Sequence, residues 1–378
     1  MQYDQRLASV RRAMERLDLD MLFLTPSANM QYLTGIQRDR PNYGNVNYPG
    51  GWTHGALIGR HAGPFVLLPR MVAEFHRPPG VDADVRILPD EADPVAFMRQ
   101  ILTELGQVKR AAIEDRAWAA TLLHLRQLLP EVSWIPASDI LAPLRMVKDA
   151  DELDVMRRAS RLADRVLDAV LPHLRMETTE LDVALEVDTQ MARLGAVGPS
   201  FTTNVFTLGP QEVREVREPT STRQLKNGMS LSFDFGCVLD GYCSDFGRTV
   251  HLGEPSAEFR RAYDTIIAAH DAAMAAMKAG EITAERANAV ARLVVEGAGY
   301  GEYFRHRLGH GIGLDVHEGP FLTHGDGTVL QEGMAFTVEP SIYWFGHLGA
   351  RIEDVVVVRA HGGESLNEAP TALRVIDL

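Results

Sequence analysis

The sequence has little cysteine and no long uninterrupted apolar segment. Cys237 and Cys243 are the only cysteines in 378 residues, and two thiols so close together do not make a disulfide framework, which favours a reducing compartment. No stretch reaches the roughly 18 apolar residues that a membrane-spanning helix needs. The N-terminus also lacks the apolar core of a signal peptide. These absences predict a cytoplasmic protein that does not bind membranes.

Basic residues are outnumbered by acidic ones. The chain has 38 Lys and Arg against 51 Asp and Glu, a formal net charge of −13. Such a charge disfavours nucleic acid and anionic membrane surfaces as partners. The 46% of hydrophobic residues is enough for a large core, and the length favours two domains over one.

The pattern of apolar residues changes near residue 145. Before it, short apolar runs at 21–25 and 64–69 alternate with a helical pattern at 94–106, which predicts a smaller α/β domain over 1–145. After it, a helix is expected from about 151, capped by Asp149 or Asp151. Further helices of the second domain, 146–378, are predicted at about 179–194 after Thr178, 255–279 and 283–298.

An Asp-Gly pair joins two β-rich runs, LSFDFGCVL and YCSDFGRTV, and is a strong hairpin signal. With Asp240 and Gly241 as the turn, Gly247 faces Asp234, so Asp234 and Asp245 lie diagonally on one sheet face, about 7–8 Å apart at the backbone. Two carboxylates that converge without a nearby basic partner require a cation. The Asp234 run looks buried, which argues against two solvated aspartates.

Three histidines stand within the glycine-rich segment FRHRLGHGIGLDVHEGP. A single histidine there would more often be structural, but three so close together favour a metal or substrate role for at least one. The spacing alone does not choose among His306, His310 and His317.

The third segment is a hairpin-like pair of apolar runs interrupted by Glu339 and Glu353, which look buried. Arg351 and Glu353 have the same strand parity and so point to one face, whereas Asp354 points to the other. Two roles for Arg351 stay open, namely orienting a ligand carboxylate and pairing with surface charge.

Four carboxylates and an imidazole form a hard, oxygen-rich donor set, which suits two ions of Mn, Co, Fe or Zn, with Mn the first expectation. A pair of bridged metal ions favours hydrolysis, because it generates hydroxide near neutral pH and polarises a carbonyl. A neighbouring ligand glutamate can accept the proton of the attacking water.

These segments together resemble the metallopeptidase family of Xaa-Pro dipeptidases, aminopeptidase P, methionine aminopeptidase and creatinase. The motifs DFG…SDFGRT, GHGIGLDVHEGP, TVEPSIY and RIEDVVVV occur in the family order, with LRMVKDADELDVMRRA and GPSF before them. The resemblance implies an α+β chain: a pita-bread domain whose curved antiparallel sheet is backed by helices, preceded by a creatinase-type N-terminal domain, which NMQYLTG supports.

The resemblance also assigns roles. It implies metal ligands at Asp234, Asp245, His310, Glu339 and Glu353, with Glu339 as proton acceptor. It assigns His317 to binding of substrate and intermediate, and gives His306 no firm role. The implied reaction is hydrolysis of a small amide or peptide, first of all an Xaa-Pro dipeptide.

One departure from the family pattern concerns substrate recognition. A second active-site histidine is usual about eleven residues before Gly228, where this chain has Arg217. Two roles for Arg214, Arg217 and Arg223 therefore stay open, namely binding a substrate carboxylate and being solvated loop residues. The departure keeps a non-peptide substrate open, such as ectoine for a hydrolase or dimethylsulfoniopropionate for a lyase; a non-catalytic binding protein is disfavoured by the intact ligand set.

The family resemblance further implies a homodimer in which the partner's N-terminal domain reaches the active site. The Gly-, Pro- and Asn-rich segment 36–53 is then a candidate for that contact, through Arg38, Arg40, Tyr43 or the nearby His54. Solvated loop charges are the alternative for Arg38 and Arg40.

Overall fold

The structure is a computed structural model that describes residues 2–38, 50–75, 82–210 and 220–378. The chain divides into two compact units, Met1–Arg145 and Met146–Leu378. Both units mix helices with strands.

The first unit is built from short, mostly buried strands and connecting helices. Its strands are β1 (Met21–Leu24), β2 (Gly55–Gly59), β3 (Phe65–Pro69), β4 (Asp84–Leu88), β5 (Arg110–Ile113) and β6 (Ser133–Pro136). Its helices are α1 (Tyr3–Arg16), α2 (Ala28–Thr34), α3 (Arg70–Phe75), α4 (Pro94–Leu105), α5 (Ala119–Leu128) and α6 (Ser138–Met146). The predicted apolar runs at 21–25 and 64–69 are thus strands, and the predicted helix at 94–106 is α4.

The six strands described in this unit form one mixed sheet in the order β4-β3-β2-β1-β5-β6. β1 pairs in parallel with β5 and antiparallel with β2. β1, β2 and β3 are buried along their whole length, which explains why they are almost wholly apolar. The α/β prediction for this part of the chain is confirmed.

The second unit has four long helices among its described residues: α7 (Ala150–Val170), α8 (Glu180–Arg193), α9 (Ala257–Ala276) and α10 (Ala284–Gly297). Asp149 caps α7 through a reciprocal capping box with Glu152, which selects it over Asp151. α8 is capped by Thr179, one residue later than predicted, because the Thr179 hydroxyl accepts from the backbone N–H of Asp182.

The strands of the second unit are mainly antiparallel. They are β7 (Gly198–Pro199), β8 (Asn204–Leu208), β9 (Met229–Phe235), β10 (Cys237–Leu239), β11 (Tyr242–Cys243), β12 (Phe246–Leu252), β13 (Gly309–Gly311), β14 (Glu318–Leu322), β15 (Ala335–Val338), β16 (Ser341–Trp344), β17 (Leu348–Arg351), β18 (Asp354–Arg359), β19 (Gly362–Ser365) and β20 (Arg374–Ile376). Two sheets carry the ligand candidates, in the orders β20-β12-β9-β8 and β14-β13-β15-β18-β19.

The helices cover these sheets as predicted. Apolar residues of α7 and α8 form one core with β8, β9 and β12, including Phe233 and Phe235. Apolar residues of α9 and α10 form a second core with β14 to β18, including Phe336. Burial of these faces removes apolar surface from water and fixes the strands that bear the site.

Two simpler expectations can be compared with the structure. Cys237 and Cys243 are buried free thiols. None of the described helices combines the length and the apolar character of a bilayer-spanning segment.

Candidate metal centre

The Asp240–Gly241 turn has the predicted register. Leu239 pairs with Tyr242 across the turn, and Asp240 and Gly241 both have positive φ, at 48° and 84°. Asp-Gly suits such a turn because both central residues of a type I′ turn are left-handed. Farther along, Asp234 faces Gly247 on β9 and β12, as expected.

This register brings three carboxylates together. Asp234 and Asp245 each offer an oxygen that lies within 4.8 Å of the other and of an oxygen of Glu353. Asp245 and Glu353 are buried, and Asp234 is partly exposed. Diagonal neighbours on one sheet face therefore meet the third carboxylate from another strand pair.

Glu339 and Glu353 lie where two strands change partners. β15 pairs with β18, and β16 pairs with β17 in a separate hairpin. Glu339 follows the end of β15, and Glu353 precedes the start of β18, so both glutamates occupy the breaks between these pairings. Both are buried, at 9% and 1% exposure, which confirms the prediction from their apolar flanks.

The imidazole of His310 faces this group. Its Nε2 atom is 3.5 Å from Asp245 Oδ2 and 3.7 Å from Glu339 Oε1. Its Nδ1 atom is 3.0 Å from the carbonyl oxygen of Gly311 and therefore carries the proton in a hydrogen bond there. That bond leaves the Nε2 lone pair directed to the carboxylates, the usual arrangement for a histidine ligand.

Arg351 lies among the same carboxylates. Its Nη2 atom is 2.7 Å from Asp234 Oδ2 and 3.1 Å from Glu353 Oε2, and its Nη1 atom is 3.5 Å from Glu339 Oε2. The expectation that the aspartates converge without a basic partner is therefore wrong. It failed because Arg351 comes from β17, more than a hundred residues away in sequence. Arg351 is buried, which excludes the surface-charge alternative.

The ionisation of these groups is strongly perturbed. Burial raises the pKa of Glu339 to about 7 and raises the pKa of Asp234 and of Glu353, the last of these strongly. For His310, burial acts to lower the pKa, but Asp245 and Glu339 outweigh it and raise the pKa. Carboxylates this close in a buried place resist full ionisation because one guanidinium does not balance four negative charges.

A divalent cation fits this donor set. Asp245 Oδ1 and Glu353 Oε2 are buried and accept no hydrogen bond from the described part of the chain. The 3.1 Å approach of Arg351 Nη2 to Glu353 Oε2 is an ion pair without the alignment of a hydrogen bond. Buried oxygens of this kind normally have a bonding partner. A divalent ion, which prefers hard carboxylate ligands, is a suitable partner here.

The other two histidines of the segment have different surroundings. The ring of His317 lies against His310, with 4.1 Å between ring centroids. His306 Nε2 accepts from Ser341 Oγ at 2.6 Å, while its Nδ1 is 2.7 Å from the carbonyl oxygen of Arg307 and 3.8 Å from Glu339 Oε2. Burial lowers the pKa of His306 to about 4, so the ring is neutral.

The remaining predicted residues are only partly described. Arg38 is half-buried after α2, whereas Arg40 and Tyr43 lie outside the described residues, as do Arg214 and Arg217. Arg223 is described and is half-buried; its carbonyl oxygen accepts from the N–H of Glu180 at the start of α8. Cys243, buried in the sheet as expected, lies with Sγ 3.6 Å from the carbonyl oxygen of Leu314.

Two supporting residues were not predicted. Thr337 Oγ1 accepts from the His310 N–H at 3.1 Å and lies 3.2 Å from Glu339 Oε1. Its equal parity with Glu339 was the available signal. Arg248 donates to the carbonyl oxygens of Gly247 and Glu353, each at 2.9 Å. Its place in the DFGRT motif gave no hint of those acceptors.

Comparison with protein families matches both parts of the chain. Residues 154–360 match the model described as metallopeptidase family M24. Residues 6–147 match the creatinase/prolidase N-terminal domain. The chain belongs to metallopeptidase family M24. The pita-bread fold and metal-dependent hydrolysis, both implied by the resemblance, are thereby confirmed, and the family implies divalent metal ions.

This M24 chain is similar to individual relatives over nearly the whole length of both chains. It is 35% identical over 381 residues to a probable dipeptidase of Mycobacterium tuberculosis, covering 99% of this chain and 96% of that protein. It is 32% identical to an Xaa-Pro dipeptidase of Lactobacillus helveticus, with 95% of each chain covered. A solved dipeptidase of Pyrococcus horikoshii superposes with a TM-score of 0.88 at 31% identity, covering 98% and 100% of the two chains.

Proposed function

We propose that this chain is an Xaa-Pro dipeptidase with a dinuclear metal centre. The observation that carries the proposal is the convergence of Asp234, Asp245 and Glu353 within 4.8 Å, next to His310 and Glu339. These five residues are the proposed ligands. The similarity to an Xaa-Pro dipeptidase over 95% of both chains supports the substrate class.

Two divalent ions, for which Mn is our first choice and Co, Fe and Zn are alternatives, would activate a water molecule and polarise the scissile carbonyl. Glu339 is the proposed proton acceptor. Its Oε1 atom lies beside Thr337 Oγ1, and its Oε2 atom lies 3.5 Å from Arg351 Nη1, so the carboxylate is held in one orientation. A carboxylate that is fixed in this way transfers a proton without reorganising.

His317 is the proposed contact to the substrate and the intermediate, since its ring lies against that of the ligand candidate His310. Arg351 is proposed to orient Asp234 and Glu353, which it approaches to 2.7 and 3.1 Å, and to lie within reach of a substrate carboxylate. Substrate contacts by Arg38, Arg40 and Arg217, a homodimer, and a cytoplasmic location stay predictions.

The proposal is tested by turnover. Protein stripped of metal should be inactive and should regain cleavage of Xaa-Pro dipeptides with Mn, Co or Zn, whereas Asp245→Asn should not regain it. The panel should contain longer Xaa-Pro peptides, dipeptides without proline, creatine, ectoine and dimethylsulfoniopropionate. Metal-dependent turnover of a non-peptide, with dipeptides left intact, would refute the substrate proposal but retain the metal centre. Failure to bind metal would refute the centre itself.

A further inference from the structure

A buried ion pair joins the segment before α7 to the residue that follows His317, and it has no role in the proposed chemistry. Lys148 Nζ is 3.3 Å from Glu318 Oε2, and the two side chains are only 2% and 8% exposed. The partners are 170 residues apart in sequence. Lys148 belongs to the LRMVKDADELDVMRRA motif before α7, and Glu318 directly follows His317.

The lysine is held in place by its own backbone. The N–H of Lys148 donates to the carbonyl oxygen of Gly333 at 3.0 Å, and Val147 forms a bridge with Met334. Gly333 and Met334 directly precede β15, the strand that leads to Glu339. The backbone that carries the Lys148 ammonium group is therefore fixed within the second unit.

The glutamate ties together the turn between β13 and β14, residues 312–317, which we call the His317 turn. Glu318 Oε1 accepts from the N–H of Asp315 at 3.0 Å, while its Oε2 atom faces the lysine. A Cβ added to Gly313 would lie 3.0 Å from both Glu318 Oε1 and Lys148 Cε. The pair thus packs directly against the start of the turn and bonds within it.

The other side of the turn is fixed to the end of β11, two residues before Asp245. The N–H of Cys243 donates to the carbonyl oxygen of Gly313 at 2.8 Å. At the end of the turn the ring of His317 rests on that of His310. The direction of His317 consequently depends on how the turn is closed, and Glu318, its neighbour in the chain, closes it.

We propose that Lys148 and Glu318 are positioning residues that hold the His317 turn so that His317 faces the metal centre. A pair kept only for stability is a poor explanation, because buried ion pairs are often no better than apolar replacements of similar size. An apolar pair does not orient a loop, because orientation here needs the directed hydrogen bond that the Asp315 N–H donates to Glu318 Oε1.

The activity arm of the test rests on the proposed function and uses Lys148→Met, His317→Ala and the double variant. Lys148→Met should lower kcat/KM by about ten- to one-hundred-fold, the usual effect of losing an outer partner of a site. His317→Ala removes the substrate contact itself and should lower kcat/KM at least as much. The double variant should match His317→Ala to within about twofold, because both changes remove the same function. Metal content should stay at the wild-type value. Multiplying effects, or loss of metal, would overturn the proposal.

A second arm needs no activity. Amide exchange of the peptide covering residues 312–318 should become faster in Lys148→Met and in Glu318→Gln. Val187→Ala, which leaves a cavity under α8, is the matched control: it should lower the melting temperature but leave that peptide and kcat/KM unchanged. Unchanged amide exchange of this peptide in Lys148→Met would overturn the positioning role of the ion pair, even if the enzyme cleaves peptides. Faster amide exchange in the variants of an enzyme that does not cleave peptides would support the positioning role and refute only the proposed substrate.

Discussion

Gly247 and Glu353 are paired through both of their backbone groups, and the side chain of the glutamate occupies the space above the glycine. The N–H of Gly247 donates to Glu353 at 3.2 Å, and the N–H of Glu353 donates to Gly247 at 2.9 Å. A Cβ on Gly247 would lie 2.8 Å from Glu353 Oε2 and 2.9 Å from Glu353 Cβ. The glycine therefore provides the room in which the proposed ligand reaches Asp245.

Gly247→Ala should displace the Glu353 carboxylate and weaken metal binding. Gly247 does not adopt the left-handed conformation, so the effect would come from the added methyl group and not from backbone strain. We expect metal affinity and kcat/KM to fall by about ten- to one-hundred-fold. Metal titration by calorimetry measures the first quantity. Gly297→Ala is the control, since its methyl group meets no atom within 4 Å. Wild-type affinity in Gly247→Ala would show that Glu353 is not a ligand.

Arg248 links the sheet that contains β12 to the segment of Glu353 and Asp354 at the start of β18, and it should be important for stability. Its guanidinium is buried, pairs with Asp354 at 2.6 Å, and also donates to carbonyl oxygens of Glu353 and Ala369. Arg248→Met leaves the Asp354 charge buried without its cation and should cost about 3–5 kcal/mol in the free energy of unfolding. Arg248→Lys keeps the charge but loses the several N–H donors of the planar guanidinium, and it should lower the free energy of unfolding by about 1–3 kcal/mol. Urea unfolding measures both. Equal stability of the lysine variant and the wild type would contradict a stabilising role for the guanidinium hydrogen bonds.

The local features of the site were predictable because they depend on near neighbours in sequence. The Asp240–Gly241 turn fixes the register of its hairpin, and strand parity then places Asp234 and Asp245 on one face. Parity also placed Arg351 with Glu353 and turned Asp354 to the opposite side, where it pairs with Arg248.

Contacts between distant segments were not predictable. Arg351 reaches Asp234 only because the β16–β17 hairpin packs beside β9, and no pattern within either segment encodes that packing. The Lys148–Glu318 pair joins residues 170 positions apart. The start of α8 was predicted one residue early because Thr178 and Thr179 are equally suitable as caps, and in the structure it is Thr179 that bonds to Asp182.

His251 should make the protein less stable in mild acid. It lies on β12, with Nδ1 2.7 Å from the carbonyl oxygen of Gly253 and its ring against Phe259, and burial lowers its pKa. Below its ordinary pKa of about 6.5, the unfolded chain takes up a proton that the native state resists, so stability falls as the pH falls. In His251→Gln the loss of stability between about pH 7.5 and about pH 5.5 should be smaller. Urea midpoints at both pH values measure it, and an equal loss in both proteins would contradict the assignment.

Arg351 should matter for turnover more than for metal binding. Its guanidinium is the cation that Asp234, Glu339 and Glu353 share, so Arg351→Met makes the site more negative and should not weaken its attraction for divalent ions. Without the guanidinium the carboxylates are free to rotate, and kcat/KM should fall by about ten- to one-hundred-fold. Elemental analysis of the purified variant should give the wild-type metal content, in contrast to Asp245→Asn, which should lose metal. If Arg351→Met loses metal to the same extent as Asp245→Asn, the guanidinium is required to assemble the site, and its role in orienting the reacting groups would have to be abandoned.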